Sequence, residues 1–136
     1  MNAKLLIRIS VFLLFVHLIG HFIGHVYRDE AEGSLGGVAK VIKSRKVVFM
    51  GVDRSLADYS NSYSWMLFGL YAMSMILLWQ LSSYLKENRN LAKRLLFQIG
   101  ITYLFFGTIE LLYFFPFAAV VSFLVGLLIL LSTRIR

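Results

Sequence analysis

The feature that most constrains the fold is a long apolar segment that carries every histidine of the chain, at positions 17, 21 and 25. At about 100° per residue, side chains four positions apart lie on one side of a helix, so His17, His21 and His25 share a face. Gly20 and Gly24 lie on that side as well, whereas Leu, Ile, Phe and Val residues make up the opposite side. The pattern predicts a membrane-spanning helix with one lipid-facing side and one polar side.

The composition excludes a soluble domain of ordinary kind. The chain has 136 residues, of which 59% are hydrophobic and 15% charged, and its mean hydropathy is +0.75. Such values are typical of integral membrane proteins. The absence of cysteine excludes disulfides, thiolate metal sites and cysteine nucleophiles. The net charge of +7 comes from basic residues that flank apolar segments, so it indicates orientation in a membrane rather than nucleic acid binding.

Four apolar segments are long enough to cross a bilayer, which takes about 20 helical residues. We expect spans at about residues 5–27, 63–85, 95–115 and 117–133, with Pro116 opening the last helix. The second and third connections are short, which predicts one transmembrane domain over residues 1–136, an all-α antiparallel bundle of four transmembrane helices. The longer connection, residues 28–62, is expected outside the cytoplasm. The second span has aromatic residues expected near the membrane interfaces, namely Trp65, Trp79, Tyr63, Tyr71 and Tyr84.

Helices in lipid associate through close backbone approach and hydrogen bonds, so each span should present a stripe, meaning one face of small and polar residues. The expected stripes are Ser10, His17, Gly20, His21, Gly24 and His25 in the first span; Ser62, Met66, Gly69, Met73 and Gln80 in the second; Gly100, Tyr103, Gly107 and Glu110 in the third; and Ala118, Ala119, Ser122, Gly126 and Thr133 in the fourth. The stripes predict either a single bundle or, for one of them, a face between two copies of the chain.

The long connection contains a basic segment. Residues Val38, Val41, Ile42, Val48 and Phe49 recur at near-helical spacing against Lys40, Lys43, Arg45 and Lys46. This pattern fits a short amphipathic helix on the membrane surface and equally an irregular loop with several basic residues. A glycine-rich stretch at 33–37 is expected to break the chain before it, and Asp58 or Ser60 is expected to cap the next helix.

If Lys40, Lys43, Arg45 and Lys46 bind anionic headgroups, association of this segment with anionic liposomes should weaken as the salt concentration rises, because salt screens the attraction. Cosedimentation with liposomes at increasing salt measures this. Association that does not change with salt would remove the membrane-surface role.

Basic residues also predict the orientation of the chain. The N-terminal end, the second connection and the C-terminal end together carry eight Lys and Arg residues, whereas the long first connection carries six together with five acidic residues. Basic residues favour the cytoplasmic side, so both termini are expected there. Arg8, near the start of the first span, lies off the histidine face and is expected to extend to the headgroups.

Glu110 is the only acidic residue within a span and is therefore a candidate functional group. Counted at 1.5 Å per residue from the outer end, Glu110 lies about 8 Å deep and His21 about 9 Å deep, with His25 shallower and His17 near the middle. This depth predicts a cluster of His21 and Glu110, joined by Ser122 or Tyr113.

Several chemistries fit such a cluster. A metal ion is the candidate cofactor, with His21, His25 and Glu110 as ligands. A path for protons or substrate along the histidines is a second reading, and haem a third that needs a histidine from another chain. The remaining reading is that the polar groups only fix helix packing. Nucleophile and phosphate-binding motifs are missing. We therefore expect a binding or accessory component of a membrane complex, in contact with lipids and with a larger complex or a second copy, the alternative being a membrane enzyme or a metal or haem protein.

Three short motifs of the chain are similar to those of a known group of proteins. They are His17-x-x-Gly20-His21; Phe49-Met50-Gly51 followed by Arg54-Ser55 and Asp58-Tyr59; and Tyr113-Phe114-Phe115-Pro116. In these the chain resembles a group of small, uncharacterised bacterial four-span membrane proteins. The resemblance implies the four-span fold and a bacterial inner membrane, and it implies no activity.

Overall fold

The computed structural model describes residues 2–27 and 33–135. Its elements there are α1 (Ala3–Tyr27), α2 (Gly33–Ser44), β1 (Lys46–Phe49), β2 (Val52–Ser55), α3 (Leu56–Tyr84), α4 (Arg89–Tyr113) and α5 (Pro116–Arg134). By length and composition, α1, α3, α4 and α5 can each cross a membrane. The expectation of a helical protein with four membrane-length helices is confirmed, and α5 begins at Pro116 as predicted. The first five residues of the expected long connection, 28–32, lie outside the described residues.

The chain divides into two compact units. The first contains Met1–His17 and Tyr71–Arg136, and the second contains Leu18–Leu70. Helices α1 and α3 therefore contribute to both units, whereas α4 and α5 belong to the first alone. The two units hold different polar clusters.

In the first unit, α4 and α5 approach so closely that their backbones touch at two glycines. A Cβ atom on Gly126 would lie 2.9 Å from the carbonyl oxygen of Gly100, and one on Gly100 would lie 3.2 Å from the carbonyl oxygen of Gly126. Gly107 makes room in the same way for the ring of Phe123, which a Cβ would meet at 2.9 Å. Most residues of the stripes predicted for α4 and α5 are buried, namely Gly100, Tyr103, Gly107, Ala118, Ala119, Ser122 and Gly126, whereas Glu110 and Thr133 are partly buried.

The open end of this helix pair is closed by side chains. The side chain of Asn88 accepts a hydrogen bond from the backbone N–H of Leu91 and caps α4. Arg89 Nη2 and Lys93 Nζ donate to the carbonyl oxygen of Ile135, at 2.8 and 3.0 Å. These two cations compensate the negative end of the α5 dipole.

The stripe predicted for α3 does not pack within the described part of one chain, so a face between two copies stays a prediction for it. Met66 and Met73 are 67% and 58% exposed, and a Cβ on Gly69 would meet nothing within 4 Å. The buried residues lie on another face instead and include Ser64, Tyr71, Leu78, Leu81 and Ser82. In α1, Ser10 and His17 are buried, whereas Gly20 and Gly24 are exposed. Small residues thus indicate the packing face of a helix when two backbones touch, as in α4 and α5. They do not indicate it when large side chains fill the contact, as in α3.

The basic segment of the second unit forms a helix followed by a hairpin. The glycine-rich stretch at 33–37 begins α2 instead of breaking the chain, and Val48 and Phe49, expected to continue the helical pattern, lie on β1. Strand β1 pairs with β2 in antiparallel register. The turn between them has positive φ at Met50 (51°) and Gly51 (80°), as a type I′ turn requires. A β-branched pair before a glycine turn thus outweighs the helical spacing.

Helix α3 begins with a reciprocal cap. Asp58 Oδ2 accepts hydrogen bonds from the backbone N–H and the hydroxyl of Ser55, at 2.8 and 2.9 Å, and the N–H of Asp58 donates to Ser55 Oγ at 3.1 Å. This is a capping box, with Ser55 as the cap and Asp58 three residues later. The predicted cap at Asp58 or Ser60 is therefore wrong, and α3 starts at Leu56.

The touching backbones give a stability prediction. Gly126→Ala should lower the thermal unfolding midpoint in detergent, because overpacking between helices costs about 1–3 kcal/mol. The control is Gly69→Ala, where the space is open and alanine favours the helix by about 1 kcal/mol. Equal effects of the two substitutions would contradict a backbone contact at Gly126.

Candidate functional site

Three polar side chains of the first unit form a hydrogen-bonded triad, from here the His17 triad: His17, Tyr71 and Glu110. The hydroxyl of Tyr71 donates to Glu110 Oε1 at 3.1 Å and lies 3.2 Å from His17 Nε2. His17 Nε2 is 3.6 Å from Glu110 Oε1. One histidine, one tyrosine and one carboxyl group thus meet at two oxygen atoms, the hydroxyl oxygen of Tyr71 and Oε1 of Glu110.

Each member is presented by a buried helix face. His17 ends the α1 series of Leu6, Ile7, Ser10 and Leu14, and Glu110 follows Gly100, Tyr103 and Gly107 on α4. Tyr71 is buried on α3, and its ring lies 4.8 Å from the ring of His17, centroid to centroid. The side chains of His17 and Glu110 are 8% and 12% exposed, so the triad is largely removed from solvent and lipid.

The hydrogen bonds have a direction. Tyr71 has one hydroxyl hydrogen, which it donates to Glu110, so its oxygen accepts from Nε2–H of His17. A lone carboxylate costs several kcal/mol in hydrocarbon. The triad is neutral as a whole either when His17 is protonated and Glu110 ionised, or when His17 is neutral and Glu110 protonated. In both cases the hydroxyl of Tyr71 lies between the two titratable groups.

The second carboxyl oxygen differs from the first. Glu110 Oε2 is buried, and within the described part of the chain it has no hydrogen-bond partner. The same is true of Ser122 Oγ on α5. Buried acceptors without a donor are uncommon, because a buried polar group normally finds a partner.

The structure brings together only part of the predicted cluster. His17 lies beside Glu110, and His21 belongs to the second unit. Tyr113 is 76% exposed, and Ser122 is buried without a hydrogen bond to Glu110. The depth count assumed that the spans end at one level. A shift of four residues between α1 and α4 corresponds to about 6 Å, or one helical turn, and exchanges one histidine for the next.

His21 and His25 have other neighbours, in the second unit. His21 Nε2 lies 3.0 Å from Ser64 Oγ, and its ring lies 4.9 Å from that of Phe68. The ring of His25 meets Trp65 edge-on at 5.4 Å. These contacts form a histidine and aromatic cluster that is distinct in composition from the His17 triad.

No group of three or more His, Asp or Glu side chains is arranged to hold a metal ion within residues 2–27 and 33–135. Of the predicted ligands, Glu110 belongs to the first unit, and His21 and His25 belong to the second. The four residues predicted for the membrane surface are exposed, with Lys40 and Lys43 on α2, Arg45 after it and Lys46 on β1. Lys46 lies 3.8 Å from Asp53, which offsets part of its charge.

Four residues of these clusters were not predicted as site residues: Tyr71, Ser64, Trp65 and Phe68. Tyr71 was expected at a membrane interface, as aromatic residues often are. It lies eight residues inside the expected span of 63–85, which is about 12 Å along the helix and too deep for an interface. This depth could have predicted from the sequence that the hydroxyl of Tyr71 needs a buried hydrogen-bond partner.

Comparisons with protein-family models, with curated proteins and with solved structures found no match for this chain. The class is therefore defined by the structure alone. Residues 2–27 and 33–135 form a helical structure in which four helices are long and apolar enough to cross a membrane.

The bridging hydroxyl gives the next prediction. Tyr71→Phe should lower the stability by about 1–3 kcal/mol, because it leaves buried polar atoms of Glu110 and His17 without this partner. Thermal unfolding in detergent measures the change. Tyr113→Phe removes the same hydroxyl from an exposed ring and should change the midpoint little. A midpoint for Tyr71→Phe equal to that of the control would mean that the triad does not contribute to stability.

Proposed function

We propose that this protein is a binding or accessory component of a larger membrane complex, folded as a four-helix antiparallel bundle in a bacterial inner membrane with both termini in the cytoplasm. Four membrane-length helices support the membrane location. The distribution of Lys and Arg supports the orientation, and the short motifs around His17, Phe49 and Tyr113 support the bacterial assignment.

One observation carries the binding role: Glu110 Oε2 is buried without a hydrogen bond in the described part of the chain. If the carboxyl group served helix packing alone, the most stable arrangement would give both oxygens a donor. Here Tyr71 holds one oxygen in place, and the other remains an acceptor. Such a carboxyl group is suited to accept a proton or a hydrogen bond from a group outside the chain.

The donor reaches this oxygen from within the bilayer, because the triad lies on membrane-length helices and is largely buried. A polar side chain on a helix of a partner protein and the hydroxyl group of a lipid-soluble molecule both have this chemistry. Binding would then satisfy Oε2 and set which member of the His17 triad holds the proton.

The contacts favour this role over a membrane enzyme or a metal or haem protein built on His21, His25 and Glu110. His21 Nε2 is engaged by Ser64, and the ring of His25 packs edge-on against Trp65. The carboxyl group that would complete such a site is held by Tyr71.

The test is native mass spectrometry of the protein extracted gently from its own membranes. The wild type should carry an added mass, either a protein or a small organic molecule, and Glu110→Gln should reduce its occupancy about tenfold or more, as loss of a charged hydrogen bond worth about 1.5–3 kcal/mol requires. Glu87→Gln makes the same chemical change in an exposed turn and serves as the control.

Circular dichroism should show that the Glu110→Gln protein stays folded, since glutamine keeps the shape of glutamate. Extraction of the wild type without any specific added mass would refute the binding role. Equal occupancy in the Glu110→Gln and Glu87→Gln proteins would assign binding to another part of the molecule.

A further inference from the structure

Arg8 is a cation on a membrane-length helix, and it is stacked on an aromatic ring. Its guanidinium carbon lies 3.4 Å from the centroid of the Trp79 ring, in the first unit. Arg8 is five residues after the start of α1, and Trp79 is five residues before the end of α3. Both side chains are thus about 7.5 Å from their helix ends, the depth of the boundary between headgroups and hydrocarbon.

No carboxylate of the described residues pairs with Arg8. Arg8 interacts with Trp79 by stacking. Its Nε atom is buried and has no hydrogen-bond partner in the described part of the chain. Stacking engages the flat face of the guanidinium group and leaves the terminal Nη donors in its plane, where they can pair with an oxyanion. A cation at this depth is costly unless an anion accompanies it.

The same end of the first unit is strongly basic. The turn from α3 to α4 and the contacts of Arg89 and Lys93 with Ile135 bring the end of α3, the start of α4 and the end of α5 to one side, and the contact of Arg8 with Trp79 adds the start of α1. This end contains Lys4, Arg8, Lys86, Arg89, Lys93, Arg94 and Arg134, against Glu87 alone.

We propose that Arg8, stacked on Trp79, binds the phosphate of an anionic glycerophospholipid, with Lys4 one helical turn earlier as a second cation. The planar donors of Arg8 suit two phosphate oxygens at once. Acyl chains continue along exposed apolar side chains one turn further into the membrane, Phe12 on α1 (63% exposed) and Ile76 on α3 (61%). The cations thus lie at the level of the lipid phosphate, and the apolar side chains lie deeper, at the level of the acyl chains.

The experiment is a titration of the purified full chain, in a mild neutral detergent, with phosphatidylglycerol and separately with phosphatidylcholine, and bound lipids are counted by native mass spectrometry. The wild type should retain phosphatidylglycerol in preference. Arg8→Gln should weaken phosphatidylglycerol binding about fivefold, the effect of one cation close to anionic lipid. Arg94→Gln removes an exposed cation from the same end and should have a clearly smaller effect.

A second variant covers the case in which Arg8→Gln does not fold. Trp79→Leu keeps the cation and removes the ring that positions it, so it should weaken phosphatidylglycerol binding in the same direction. Equal retention of the two lipids by the wild type would overturn the proposal. So would phosphatidylglycerol binding that is the same in the Arg8→Gln, or otherwise the Trp79→Leu, protein as in the Arg94→Gln control.

Discussion

A carboxyl group on a membrane-length helix is the constraint on which much of the first unit depends. Glu110 needs a donor that reaches it without water, and Tyr71 and His17 meet this need. The cost of an unpaired carboxyl group explains why α3 turns Tyr71 inward rather than the methionines on its other side. Lipid tails are as apolar as leucine side chains, so the hydrophobic effect does not select which face of a helix is buried in a membrane. A few hydrogen bonds can then select that face.

The three histidines look equivalent in the sequence but have different surroundings. His17 belongs to a chain of hydrogen bonds that ends on an acid, His21 pairs with a serine hydroxyl, and His25 packs against aromatic rings. Among these contacts, the carboxyl group of Glu110 lies beside His17. The spacing of four residues therefore describes the shape of a helix face, and the chemistry of each position comes from the helices opposite.

Part of this could be predicted from the sequence. The faces of α4 and α5 were predictable because Gly100 and Gly126 permit a backbone contact that no larger residue allows. The face of α3 was not, because leucine, serine and tyrosine pack equally well on several sides of a helix and the hydrogen bond to Glu110 selects one. The choice of His17 over His21 depends on the relative height of two helices, and composition does not encode a shift of about one turn. The hairpin was missed because the apolar residues of β1 happen to continue the spacing of α2.

The closeness of α4 and α5 also bears on how the chain enters a membrane. The pair is joined at one end by the short connection before Pro116 and fastened at the other by Arg89 and Lys93. Helix α5 carries Ser122 and Ser132, which are fully buried. The hydroxyl of Ser132 donates to the carbonyl oxygen of Ile129 in the same helix, so α5 carries this partner with it wherever the helix forms.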